Sequence, residues 1–160
     1  MPNIEQMEKK LPVAPLKLAV MENCKELGQK VNDYIVSFRQ NTVNDIDSSP
    51  LYLNYKTNNY LVDCSCPRFG SGESKGILKE SVRGTDLFIM TDVCNHSLTY
   101  TVNGHVNHMS PDDHFQDLKR VIAAAAGKAR RINVIMPFLY ESRQHKRSGR
   151  ESLDCGLALE

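Results

Sequence analysis

The apolar positions of this chain fall into short unbroken runs, one helical repeat and a set of polar, turn-rich connections. Leu16-Lys-Leu-Ala-Val20 reads as a short strand. Leu27, Val31, Tyr34, Ile35 and Phe38 recur at helical spacing, which predicts a helix over residues 24–38. Asn23 is its expected cap, with Glu26 as the reciprocal partner of a capping box. Residues 40–50 are polar and turn-forming, hence a loop, and residues 52–62 read as an irregular hairpin or strand pair. Glycines punctuate a turn over residues 69–76, and Arg83-Gly84 marks another turn before Asp86-Leu-Phe-Ile-Met-Thr91, a buried strand. The long polar connection over 92–111 carries Asn103-Gly104, a strong hairpin-turn pair. Ser110-Pro111-Asp112-Asp113 opens a helix with a capping hydroxyl, a proline in the first turn and acids at the positive end of the dipole. That helix is expected to run to about Lys128, with a close-packed face of alanines at residues 123–126. A strand over 132–138 follows, and a last helix begins at Ser152.

Strand and helix thus alternate through the second half. With continuous apolar strands, that order implies an α/β fold with a mostly parallel sheet covered by helices on both faces. The expected organisation is a flexible lead-in over residues 1–15 and one domain over residues 16–160. The last helix is still in register at Leu157-Ala-Leu-Glu160, so the chain is expected to be the front part of a longer protein. Formal net charge is +1, which does not suggest bulk affinity for nucleic acid. No apolar stretch approaches the roughly 20 residues of a membrane span, and the first residues lack the pattern of a secretory signal. Five scattered cysteines without a CxxC pair are ordinary for a reducing compartment. A cytoplasmic protein is expected.

The chemistry gathers after the 132–138 strand, where Arg143, Lys146, Arg147 and Arg150 fall within eight residues. Ligands of open α/β sheets bind outside the carboxyl ends of strands, and guanidinium and ammonium groups there suit a polyphosphate. The alternative is a solvated cationic loop. Gln144 offers both donor and acceptor to an adenine edge. In Phe69-Gly-Ser-Gly-Glu73 an aromatic face beside a carboxylate could hold a flat base; the alternative is a turn whose Phe plugs the core. His105, His108 and His114 with Asp112 and Asp113 are chemically able to hold zinc or another divalent ion. Their spacing fits no usual closed site, and the two acids are better explained as helix-start residues. Cys64 and Cys66 read as two buried thiols. Absence of a dinucleotide GxGxxG, of a GxxxxGK[ST] loop and of GxSxG removes the common nucleotide and hydrolase classes.

Read in order, Arg68-Phe69-Gly70-Ser71-Gly72-Glu73, Glu80-Ser81-Val82-Arg83-Gly84-Thr85-Asp86-Leu87-Phe88-Ile89, the helix and strand leading to Tyr140, and Arg143-Gln144 resemble ribose-phosphate pyrophosphokinase, in a divergent, bacterial-type form. The resemblance implies a phosphoribosyltransferase-like fold. It also implies transfer of a diphosphoryl group from Mg-ATP to the 1-hydroxyl of ribose 5-phosphate, with Mg²⁺ as cofactor. On that likeness Arg143 and Gln144 belong to the ATP site, and Phe69 and Glu73 reach the adenine of an ATP held by a neighbouring copy, making the active site a property of a homo-oligomer. Lys146, Arg147 and Arg150 become the catalytic loop cations that stabilise charge on the transferred group. Neither nucleic acid nor a membrane is an implied partner, and no metal ligand is expected within the chain. Ser71 and His145 stand where the family pattern has aspartates, and the segments 40–66 and 92–111 are longer than that pattern. The family's metal histidine and its acidic ribose-phosphate loop would lie past residue 160, so the chain alone is expected to be inactive. A non-catalytic regulatory homologue and a basic-loop nucleic-acid binder are the alternative readings.

Overall fold

In a computed structural model, which describes residues 12–43 and 50–159, the apolar runs become strands in the expected places. β1 (Leu16–Val20) is followed by a 3-10 turn (Glu22–Cys24) and helix α1 (Lys25–Val43). A second 3-10 segment (Pro50–Lys56) leads to β2 (Leu61–Val62). β3 (Cys64–Ser65) and β4 (Ile77–Leu78) pair antiparallel, and β5 (Asp86–Met90) returns to the main sheet. β6 (Thr99–Val102) and β7 (His105–His108) form a hairpin, and α2 (Pro111–Ala124), β8 (Arg131–Ile135) and α3 (Asp154–Leu159) follow. The main sheet has the order β2-β1-β5-β8 with every pair parallel.

Alternation along β1 and β5 supplies one core on each face of that sheet. Leu18, Val20 and Met90, with Tyr60, pack against Val31, Ile35 and Val36 of α1. Ala19, Leu87 and Ile89, with Val62, pack against Leu118 and Val121 of α2. The helices therefore cover opposite faces, as continuous apolar strands require. From β1 the chain crosses to β2 on one side and later returns to β5 on the other. The topological switch point lies between the carboxyl ends of β1 and β5, where open α/β sheets bind ligands. A cleft of about 450 Å³ opens there, lined by Glu22, Asn23, Lys30, Asp92, Asn95 and Pro137 among others.

Local signals held where the sequence alone sets them. Ser110 accepts from the Asp113 N–H and Asp113 returns the bond to the Ser110 backbone, a complete capping box behind Pro111. Asn103 and Gly104, at φ 50 and 80, close the β6–β7 hairpin, the positive-φ pair such a turn needs.

Several expectations are corrected. Asn23 is no cap: it lies buried inside the 3-10 turn, and its side chain crosses to Thr91 and His114, so Glu26 has no capping-box partner in it. Helix α1 runs on through residues 41–43, and residues 44–49 of the expected loop lie outside the described residues. Residues 52–62 hold a 3-10 segment and only a two-residue strand. Tyr55 and Tyr60 turn their rings to α1, with Arg39 over them at 4.2 and 4.9 Å, and the Tyr60 carbonyl also accepts from the Leu18 N–H of β1 at 2.8 Å. Of the alanines 123–126 only Ala125 is buried, because α2 ends at Ala124 and the chain turns out through Ala126 and Gly127 at φ 49 and 64. β8 stops at Ile135, and Phe138 beyond it is exposed. At the lead-in, Pro15 accepts from the Asp86 N–H at 2.9 Å, which ties its end to β5; residues 1–11 lie outside the described residues.

Candidate functional site

Helix α2 carries the candidate site on its two flanks. His114, Leu118 and Val121 face the sheet. At spacing i, i+4, i+7, Asp113, Asp117 and Arg120 form one flank, and they receive the Arg68–Ser74 turn. Arg68 donates to Asp113 and Asp117 at 3.3 Å each and to the Gly72 carbonyl at 2.9 Å, with its guanidinium 4.4 Å from the Tyr100 ring centre. Ser74 donates to Asp117 and accepts from Arg120. The turn itself is closed by Phe69 N–H to Glu73 carbonyl at 2.7 Å and Gly72 N–H to Phe69 carbonyl at 2.9 Å. Gly72 sits at φ 93, where a side chain is strained. Phe69 is 55% exposed; it does not plug the core, and beside it Glu73 is also exposed, with one carboxylate oxygen accepting from Ser71 at 3.1 Å.

Asp112 and Phe115 form the other flank and hold the start of the cationic segment. The Tyr140 ring stacks on Phe115 with centres 4.1 Å apart, and its hydroxyl donates to Asp112 at 2.8 Å. Burial and then the Asp112 carboxylate push the Tyr140 phenol up, so it remains a donor at neutral pH. Glu141 then adopts φ 57, an uncommon conformation for a residue with a side chain, and turns the chain toward Arg143. Arg143, Lys146, Arg147 and Arg150 are exposed, and none of the four forms a salt bridge among the described residues. Gln144 is engaged at both ends of its amide: it donates to Glu141 and accepts from Ser152 at 2.8 Å. The His145 ring donates through Nδ1 to the Ser142 carbonyl at 2.9 Å.

The histidine cluster does not assemble. His105 and His108 lie on exposed β7, whereas His114 is 1% exposed at the switch point. His114 Nε2 meets the Asn95 carbonyl at 2.7 Å, which can only accept, so Nε2 carries the hydrogen. Nδ1 is then the acceptor for Asn23 Nδ2 at 3.0 Å. Asn23 also donates to Thr91 at 2.9 Å and accepts from the Asp92 N–H at 3.2 Å. This network pins the loops after β1 and β5 to α2. Among the described residues no three His, Cys, Asp or Glu side chains are disposed to hold a metal ion. Of the two thiols expected to be buried, Cys64 is buried and Cys66 only partly so; burial, then Asp63, pushes Cys64 up to about 11, and burial, then Asp117, pushes Cys66 up to about 12.

A family model described as the N-terminal domain of ribose phosphate pyrophosphokinase matches residues 16–160. The chain belongs to this family. Ribose-phosphate pyrophosphokinase B of Dictyostelium discoideum is 32% identical over 106 residues, covering 66% of this chain and 27% of that protein. The ribose-phosphate pyrophosphokinase of Bacillus caldolyticus is 31% identical over 88 residues, covering 55% of this chain and 24% of its own. The chain spans about a quarter of the length of these curated relatives. Among solved structures, phosphoribosylpyrophosphate synthetase from Mycobacterium smegmatis aligns with 89% of this chain and 37% of that one, at a TM-score of 0.50 and 20% identity. The α/β, phosphoribosyltransferase-like fold is shared.

Within this ribose-phosphate pyrophosphokinase domain, the motif residues Phe69 and Glu73 are anchored on one flank of α2 and the Arg143–Arg150 segment on the other. No hydrogen bond or salt bridge among the described residues joins them. The most diagnostic stretch, Glu80 to Asp86, lies at the amino end of β5, away from the switch point. It is structural there: Val82 is buried, Gly84 at φ 69 donates to the Lys128 carbonyl at 2.9 Å, and Asp86 takes Arg131 in a bidentate pair at 2.8 and 2.5 Å. Sequence reasoning missed the positioning roles of Arg68, Tyr100, Asp112 and Tyr140. Nothing local marks them, since each acts through a partner remote in sequence.

Proposed function

We propose that this domain contributes the ATP-binding half of a ribose-phosphate diphosphokinase, in which diphosphate passes from Mg-ATP to the 1-hydroxyl of ribose 5-phosphate. The observation that carries the reading is the set of four exposed cations without a salt bridge just past the carboxyl end of β8, on a segment fastened to α2 by Tyr140. Such a site has little covalent chemistry to perform. It must position a triphosphate and stabilise charge as that charge spreads over the transferred group. Arg143 would grip phosphate oxygens through its fork, and Lys146, Arg147 and Arg150 would close over the reacting groups and exclude water. Gln144 must release Glu141 or Ser152 before its amide can meet adenine. Phe69 and Glu73 present a stacking face and an acceptor on the far flank of α2. That separation suits a base supplied by a neighbouring copy, and hence a homo-oligomer with shared sites.

Mg²⁺ binds with few carboxylates and keeps waters or substrate phosphates as its other ligands. With no three-ligand cluster among the described residues, it would arrive on the nucleotide, where it neutralises phosphate charge. Cytosolic location belongs to the same proposal: all five cysteines are free, which suits a reducing compartment.

The test is Arg143→Ala in the full-length protein, assayed for AMP formation from ATP and ribose 5-phosphate. Loss of one phosphate donor should lower kcat/KM by roughly 10²–10³-fold, with an unchanged thermal melt. Unaltered turnover would remove Arg143 from the site. A wild-type protein without AMP formation that still activates a catalytic partner would favour the regulatory homologue, the reading to which His145 and the engaged Gln144 amide lend support.

A further inference from the structure

The connection over residues 92–111 carries the β6–β7 hairpin, to which the proposed diphosphoryl transfer gives no task. Its hairpin stands largely free: β7 is exposed along its whole length, with Val106 67% exposed. A two-stranded hairpin is marginal in water by itself, so its few inward contacts are informative. Tyr100 of β6 lies under Arg68, 4.4 Å from the guanidinium carbon. Val102 of β6 places Cγ2 3.4 Å from where a Cβ on Gly72 would stand. Both contacts fall on the Phe69–Glu73 turn. Arg68 is the shared bolt, since the same guanidinium donates to the Gly72 carbonyl inside the turn and to Asp113 and Asp117 of α2.

We propose that the β6–β7 hairpin buttresses the base-facing turn, with Tyr100 and Arg68 as positioning residues that set how firmly Phe69 and Glu73 grip a nucleobase. The inference rests on the ATP reading above and deepens it. Arg68 and Tyr100 need touch no ligand. They hold the two presenting side chains in one geometry, so that ordering the turn costs little when a base docks. Ser71 fits the same account: where the family pattern has a carboxylate, its hydroxyl donates to Glu73 at 3.1 Å and orients the acceptor, as a second carboxylate could not. Phosphate contacts made by the Arg143–Arg150 segment, on the opposite flank of α2, stand apart from this device. The buttress therefore bears on the base and not on the phosphates.

Tyr100→Ala, Tyr100→Leu and Tyr100→Phe in the full-length protein test it by calorimetric titration with ATP and with inorganic tripolyphosphate, which has no base. Tyr100→Ala should weaken ATP binding about tenfold and leave tripolyphosphate binding unchanged. Tyr100→Leu, which keeps apolar volume under the hairpin, should show the same split if Tyr100→Ala fails to fold. Tyr100→Phe, which keeps the ring under Arg68, should restore the wild-type value. Equal weakening of both ligands, or failure of Tyr100→Phe to restore, would overturn the buttress. If Phe69→Ala and Arg143→Ala also leave ATP binding unchanged, the ATP reading itself fails. If those two weaken it and neither Tyr100→Ala nor Tyr100→Leu does, only the buttress is lost.

Discussion

Asp117 is 3% exposed and sits between the Arg68 and Arg120 guanidiniums, each at 3.3 Å, with the Ser74 hydroxyl on the same carboxylate. Removing it would leave Arg68 with Asp113 as its one carboxylate and Arg120 with the Ser74 hydroxyl alone. Asp117→Ala should therefore cost about 1.5–3 kcal/mol of unfolding free energy in urea. A loss under about 1 kcal/mol, the scale of an exposed pair, would show that water already screens the cluster. At this scale the sequence specified chemistry but not environment. Phe69 could have been a core plug or a presented ring, and its 55% exposure decides between them. His114 looked like one of three possible metal ligands, yet it is a core histidine with both ring nitrogens engaged. The donor types of Arg143, Gln144 and the loop cations were legible, whereas the engagement of the Gln144 amide by Glu141 and Ser152 was not.

Elements followed the local code wherever that code was complete. The capping box at Ser110, the positive-φ pair at Asn103-Gly104 and the apolar runs of β1 and β5 are each set by residues adjacent in sequence. The 3-10 segment at Pro50–Lys56 escaped because its tyrosines have strand propensity, while Tyr55 finds Arg39 of α1 and Tyr52 packs on Tyr55. One contact between elements carries a sharp expectation. A Cβ on Gly76, at the start of β4, would lie 2.3 Å from the Arg120 carbonyl oxygen and 2.7 Å from the Val121 nitrogen of α2. Both are backbone atoms, so no side chain can move aside. Gly76→Ala should destabilise by about 1–3 kcal/mol, read as a lower urea midpoint. Wild-type stability would mean that β4 and α2 can part at no cost, and with them the turn that Arg68 fastens to α2.

At the scale of the whole molecule, the Cys64 and Cys66 thiols, one buried and one partly so, couple stability to pH. Cys64 is pushed up to about 11 and Cys66 to about 12 from an ordinary 9.0. A raised native value stabilises fully below the unfolded value, and that contribution disappears as pH rises through the native one. The melting temperature should hold to about pH 9 and then fall towards pH 11, with a shallower fall in Cys64→Ala. A flat profile through that window would mean the thiols are wetter than their packing indicates. Sequence by itself determined the alternation of strand and helix, the two covered faces of a parallel sheet, the hairpin turn, the helix start and, through ordered motifs, the family. These depend on period, φ preference and capping, all of which act over a few residues. Tertiary structure alone decided which flank of α2 receives each half of the candidate site, and which polar groups meet in the interior. Asn23 finds Thr91 across 68 residues and Arg68 finds Asp117 across 49. Such pairs exist only after the sheet has brought distant segments together, and no local signal announces them.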